Sequence, residues 1–253
     1  PIELALNYMD KEGVDQAFII QNSVIGDCNE YISEAVARYP KRFFASVQVD
    51  PFSKDAASTL EHYASLSRPN VFKMEISEQY GWSGMHRDLR VFDSPGMSDL
   101  WDIALKYKMA VMFDTGLIGT NGYQTEQFAK LADAYPSLPI IIEHGCMCKN
   151  DFDTDSELRP QWDAMAELGR KENIYMGLTA IVETAGNMER AMWVLEHLLN
   201  IAGERKIVWG SDIPGNMRFW TYNNMIEWAE KAPCLTERQK DLFLAQNMLD
   251  MFK

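Results

Sequence analysis

Three polar residues stand where three apolar runs stop. Asp212 follows Ile207-Val208-Trp209-Gly210-Ser211 and precedes Ile213-Pro214, a proline that cannot donate to a sheet ladder. His144 follows Pro139-Ile140-Ile141-Ile142-Glu143, and Asp114 follows Ala110-Val111-Met112-Phe113; each is trailed by a glycine within two residues. A carboxylate beside a divalent cation can take the proton of an attacking water, because the cation lowers the pKa of the water it binds. An imidazole titrates near working pH and can donate or accept a proton. Two of these residues also have a bland explanation: Asp212 as a capping or turn aspartate, His144 as a satisfied core histidine. What favours chemistry is that all three occupy the same kind of position, a strand's end.

That position depends on the elements around it. Seven β-branched or aromatic-rich runs begin near Gln16, Phe43, Val71, Ala110, Pro139, Ile174 and Ile207, at spacings of 27 to 39 residues. Helical patterns fill the intervals: Asn29 to Tyr39, Ser53 to Ser65, Ser98 to Tyr107, Thr125 to Tyr135, Leu158 to Arg170, Asn187 to Ile201 and Met217 to Glu230. Pro40, Pro69 and Pro136 fall just past helices, and Thr236 with Gln239 forms a capping-box pattern that opens a last helix running to Asp250. A strand and a helix in every such interval is the βα signature. Joins from helix to strand are short, whereas the segments Glu78 to Gly96, Gly145 to Glu157 and Ile213 to Met217 are long and follow strands. The expected fold is therefore α/β, a TIM (β/α)8-type barrel with active-site loops at the strands' C-terminal ends, although only seven strands are legible. An open doubly wound sheet is the rival, and Gln21-Asn22-Ser23-Val24 is not the glycine-rich phosphate turn it normally carries.

Composition narrows the partners. A chain of 253 residues that is 47% hydrophobic suits one domain over 1–253 with a sizeable core. A net charge of −13 argues against nucleic acid and anionic membrane surfaces, which favour basic patches. The 4 cysteines, with no cationic apolar leader and no long apolar run, point to a reduced cytoplasmic compartment without disulfides. A small-molecule substrate and a homo-oligomer are expected, since a seven-strand sheet leaves edges to cover.

The order of several short segments resembles the amidohydrolase superfamily, in the amidohydrolase-related branch that includes aminocarboxymuconate-semialdehyde decarboxylase. Gly13-Val14-Asp15-Gln16-Ala17 resembles the entry to that branch's second strand, Tyr39-Pro40-Lys41-Arg42-Phe43 the join to the third, and Val71-Phe72-Lys73 the fourth. Glu143-His144-Gly145 is similar to the sixth strand's end, Gly210-Ser211-Asp212-Ile213-Pro214 to the eighth's, and Asn247 to the asparagine of the closing helix. The resemblance implies a metal-dependent hydrolase of a small carboxylated amide, ester or lactone. Asp212 would be a ligand and general base, His144 a ligand and acid or electrophile, and Asp114 a further ligand. Zinc is the default cation, with manganese as the alternative. Two departures qualify this. The first strand, with the His-x-His pair that usually supplies two ligands, is missing from this chain, so the metal itself is in question. Asp114 also stands where many relatives carry a histidine. A non-oxidative decarboxylase of a hydroxybenzoate- or muconate-like acid, and a barrel that has lost catalysis and serves as a binding or assembly subunit, both remain open.

Substrate contacts are expected from the loop after the third legible strand, where Trp82, His86 and Arg87 combine aromatic rings with a fork suited to a carboxylate. Arg218 with Trp220 forms a second such pair, and Cys146 follows the candidate histidine closely enough to line a pocket. Lys73 and Glu75 lie two apart and share one strand face, so inside a barrel they must pair or meet substrate; an interior ion pair is the default. Cys146-Met147-Cys148 lacks the spacing and partners of a structural zinc site.

Overall fold

The computed structural model describes residues 2–66, 69–82, 92, 96–147 and 152–253. Helix α1 (Ile2–Glu12) leads into β1 (Ala17–Ile19), α2 (Asn29–Arg38), β2 (Phe43–Val47), α3 (Ala56–Leu66) and β3 (Pro69–Glu75). The chain continues through α4 (Met97–Lys106), β4 (Ala110–Asp114), α5 (Thr125–Ala134), β5 (Ile140–Ile142), α6 (Leu158–Glu167) and β6 (Ile174–Thr179). Helices α7 (Ile181–Ala185) and α8 (Met188–Ala202), strand β7 (Ile207–Gly210) and α9 (Tyr222–Glu230) complete the repeat, followed by α10 (Glu237–Asp241) and α11 (Asn247–Asp250). The seven strands pair in sequence order, every pair parallel, as a curled part of a (β/α) barrel with β1 and β7 at the two edges. Among the described residues no helix is long and apolar enough to cross a membrane.

The strands separate two cores by alternation. Phe72 and Met74 of β3 and Ile76 just after it, Val111 and Phe113 of β4, and Ile140 and Ile142 of β5 face outward and join the helices in the main cluster. Between them Val71, Ala110, Met112, Ile141 and Val208 face inward and make a smaller core at the floor of the lumen. The helices meet the sheet with the expected period: α8 buries Ala191, Val194, Leu195 and Leu198. Truncating Leu195 or Leu198, both fully buried, to alanine would cost about 2 to 5 kcal/mol.

The C-terminal segment ties the two edges together. Asn247 Nδ2 donates to the carbonyls of Glu204 and Ile207, each at 2.7 Å, at the start of β7. Phe252, just beyond α11, packs on Phe18 of β1 with ring centroids 5.6 Å apart, and Met248 and Met251 lie on the lumen floor.

Several boundaries differ from the sequence expectation. The helix expected from Ser53 begins at Ala56, because Ser53 and Asp55 bond to each other in the preceding turn. The helix expected over Met217 to Glu230 is a 3-10 turn, Gly215–Arg218, followed by α9, whose cap Thr221 accepts from Asn224 N at 3.2 Å. The Thr236–Gln239 capping box forms, but the helix it opens passes through a π-helical turn at Leu242–Gln246 before α11. Pro69 begins β3, a strand position at which a missing N–H is tolerated.

Candidate active site

Strands β3 to β7 end at one mouth, where β3 ends in Glu75, β4 in Asp114, and β5 and β7 are followed by Glu143 and Asp212. Register pairs Lys73 with Met112 and Glu75 with Asp114, so Lys73 and Glu75 share the lumen with Asp114. Glu143 follows β5 on the same face, and its carboxylate lies over Gly177 of β6, where a Cβ would come 2.6 Å from Glu143 Oε1. Glycine at 177 therefore makes room for this acid.

Backbone strain gathers at the same rim. His144, Ala180 and Asp212, which follow β5, β6 and β7, all have positive φ, at 59°, 49° and 53°. Non-glycine residues adopt this region at a cost and do so most often at functional sites. After β5 the turn extends through Gly145, Cys146 and Met147, all with positive φ. It is held from behind: Trp162 Nε1 donates to Gly145 O at 2.9 Å, and Tyr123 Oη donates to Cys146 O at 3.0 Å.

This turn aims His144 at Asp114. His144 Nε2 lies 3.2 Å from Asp114 Oδ2, and Nδ1 lies 3.0 Å from the Thr179 carbonyl oxygen. A carbonyl oxygen only accepts, so Nδ1 carries a proton, and Nε2–H donates to the carboxylate. Thr179 Oγ1 donates to Glu143 Oε2, while Glu143 Oε1 is buried with no hydrogen-bond partner among the described residues. On the other side Ser77 Oγ donates to Glu75 Oε1 at 2.6 Å, and Gly116 N donates to Asp114 Oδ1 at 3.0 Å. Lys73 and Glu75 form the interior ion pair at 4.0 Å, both nearly inaccessible to solvent.

The charges shift one another. Burial disfavours the imidazolium of His144, but Asp114, Glu143 and Asp212 outweigh it and hold the pKa at about 10. Burial also raises Asp114, and here the His144 cation and Lys73 win, so its pKa falls well below the usual carboxylate range. For Glu75 burial and the Asp114 charge prevail over Lys73 and place it at about 7. Burial raises Glu143 as well, against the pull of His144 and Lys73. Lys73 is pushed up: its burial is overcome by Glu75, Asp114, Glu143 and Asp212. Asp212 is exposed at the rim, and its field reaches both Lys73 and His144. The mouth therefore holds a histidine that is cationic near neutral pH and an acid that is half protonated there.

The other described sequence candidates are core or surface residues. Trp82 and Cys146 are enclosed in the main core, where Cys146 Sγ sits 3.6 Å from Met176 Sδ. Arg218 is exposed with its guanidinium over the Phe219 ring, 4.7 Å from the centroid. Trp220 lines a pocket behind β7 with Trp209, Asn216 and Trp228. His86 and Arg87, like Cys148, fall outside the described residues. Glu143, Thr179 and Gly177 were not anticipated as parts of the mouth. The sequence signal for them was the glycine inside the otherwise apolar strand Ile174–Thr179, which marks a close approach.

The metal expectation can be tested on the donors. Nδ1 of His144 is tied to a carbonyl, as in many metal-binding histidines. However, Nε2 is bonded to Asp114, and among the described residues no three His, Cys, Asp or Glu side chains converge on a common point. A pair of donors bonded to each other does not fit a divalent metal centre by itself.

The comparisons with known proteins bear on the fold and the family. The family model described as Amidohydrolase matches residues 1–253. No curated protein sequence matches the chain. A probable 2-pyrone-4,6-dicarboxylic acid hydrolase from Acinetobacter baumannii, with citric acid bound, superposes with a TM-score of 0.77 at 14% identity, over 99% of this chain and 88% of that one. A 5-carboxyvanillate decarboxylase from Sphingomonas paucimobilis gives 0.64 at 16% identity, over 98% and 81%. A TIM-barrel protein from Bordetella bronchiseptica gives 0.73 at 16% identity, over 99% and 82%. These likenesses show the barrel fold, and the whole-length family match gives the conclusion that the chain belongs to the amidohydrolase family.

Proposed function

We propose that the chain hydrolyses a small carboxylated lactone or ester at the mouth formed by the ends of β3 to β7. The observation that carries this reading is the mutual field of His144, Asp114, Lys73 and Asp212: a fixed cation beside an exposed carboxylate at one rim. Asp212 takes a proton from water as the water oxygen bonds to the substrate carbonyl carbon. The imidazolium of His144, held in place by Asp114 and the Thr179 carbonyl, stabilises the negative oxygen that develops and can protonate the leaving alkoxide. Lys73 keeps the lumen from accumulating negative charge and attracts an anionic substrate. Zinc or manganese would need donors beyond the His144–Asp114 pair, so no step is routed through a metal.

A second reading is favoured by Glu75. An acid with a pKa of about 7 inside the lumen is suited to delivering a proton to carbon after loss of carbon dioxide, as a non-oxidative decarboxylase requires. One experiment separates the two. Purified protein is incubated with 2-pyrone-4,6-dicarboxylate, with ring opening followed by ultraviolet absorbance, and with 5-carboxyvanillate, with carbon dioxide release measured. Lactone turnover is the expected result. Carbon dioxide release without lactone turnover would transfer the assignment to the decarboxylase, and inertness towards both would favour a barrel retained for binding.

A further inference from the structure

We infer that Gln48 is a specificity-determining residue, whose side-chain amide donates a hydrogen bond to a carboxylate oxygen of the substrate at the β2 side of the mouth. The inference rests on the proposed carboxylated substrate and adds the residue that reads one of its acid groups.

The placement follows from alternation. Val47 and Val49 pack in the outer cluster with the helices, so Gln48 between them points to the lumen, on the face of Ser46. Parallel register pairs Ser46 with Val71 and Val47 with Phe72, and one step further sets Gln48 beside Lys73. Gln48 is 9% exposed, yet its Nε2 has no hydrogen-bond partner among the described residues. Such a donor forfeits its solvation unless an acceptor meets it.

The backbone N–H and carbonyl of Gln48 are satisfied. Gln48 N donates to Asn29 Oδ1 at 3.0 Å, and Asn29 Nδ2 donates to Gln48 O at 2.7 Å. Gln21 Nε2 donates to the same Asn29 oxygen at 2.7 Å and to Ser46 O at 3.2 Å, while Cys28 N donates to Gln21 Oε1 at 3.0 Å. This buried network at the ends of β1 and β2 fixes the backbone of Gln48 and does not engage its Nε2. A donor next to the Lys73 cation matches an anionic oxygen, and the unpartnered Oε1 of Glu143 on β5's side matches a hydroxyl or a protonated group. The mouth thus offers donors on its β2–β3 side and an acceptor opposite.

The test uses benzene-1,3-dicarboxylate and its uncharged analogue benzene-1,3-dicarboxamide as probes, with binding measured by titration calorimetry on the full chain. Q48L should weaken the dicarboxylate roughly 10- to 100-fold, the scale of one hydrogen bond to a charged acceptor. Q48E should weaken it more while binding the dicarboxamide at least as well as the parent, because a carboxylate accepts from amide N–H groups. A residue serving structure alone would lower the melting temperature. Q48L, which removes an unsatisfied buried donor, should leave it unchanged or raise it. Equal losses for both probes, a Q48L protein within twofold of the parent, or a large drop in melting temperature would each overturn the inference. If the parent turns over the lactone and Q48L retains dicarboxylate affinity, the inference alone fails. A parent that binds no dicarboxylate overturns the inference, and one that also fails to turn over the lactone defeats the proposed function with it.

Discussion

Replacing Asp114 by asparagine removes the carboxylate 3.2 Å from His144 Nε2 and keeps its shape. In the parent the imidazolium is disfavoured by burial but held by Asp114, Glu143 and Asp212, so His144 retains its proton up to about pH 10, against 6.5 for the free side chain. Between those values the folded state binds a proton that the unfolded state has lost. His144 therefore contributes stability that is complete below about pH 6.5 and disappears as pH rises through 10. The slope is about 1.4 kcal/mol per pH unit, or about 2 kcal/mol between pH 7.5 and 9.0. Both side chains are less than a fifth exposed, at 15% and 19%, so solvent screening removes little of this. In D114N burial is left with fewer opponents, the proton departs at lower pH and the slope flattens. Glu75, at about 7, is mostly ionised across that window and adds little to the slope. Urea unfolding of parent and D114N at several pH values supplies the slopes, and the NMR titration of His144, assigned among the 4 histidines with an H144N control, supplies the pKa. Parallel stability losses in the two proteins, or a parent His144 that titrates near 6.5, would refute the coupled pair.

Three further outcomes follow from the packing. G177A places a methyl group 2.6 Å from Glu143 Oε1, so it should cost about 1 to 3 kcal/mol in urea unfolding; an unchanged midpoint would mean Glu143 does not lie over that strand. K73M strands Glu75 in the lumen and should cost about 3 kcal/mol, with K73M/E75Q recovering at least half; no recovery would contradict the ion pair. T236A loses the capping box and should destabilise by about 1 kcal/mol, seen as a lower melting temperature, whereas T236S should not.

Much of the fold was legible because its signals are local. Apolar runs gave the seven strands to within about two residues, and the short joins before strands placed the polar ends on one rim. What local pattern could not supply were the long-range partners. Glu143 reads as the tail of an apolar strand, and only the register of β5 against β6 shows that it lies over Gly177 and Thr179. Gln48 follows a hydrophobic strand like any connector, and its significance comes from Lys73 across the β2–β3 pair. Cys146 read as a pocket residue because it is two positions from His144, but the left-handed turn after β5 swings its side chain into the core beside Met176. The helix drawn through Met217 broke where Thr221 capped α9, a signal present in the sequence but outweighed by apolar periodicity.

The most direct test is turnover of 2-pyrone-4,6-dicarboxylate by the parent and by D212N under identical conditions. Removing the rim carboxylate as proton acceptor should lower kcat by roughly 100- to 10,000-fold while leaving the melting temperature close to the parent's. A D212N protein that hydrolyses the lactone at the parent's rate would contradict the assignment of this mouth as the reaction centre.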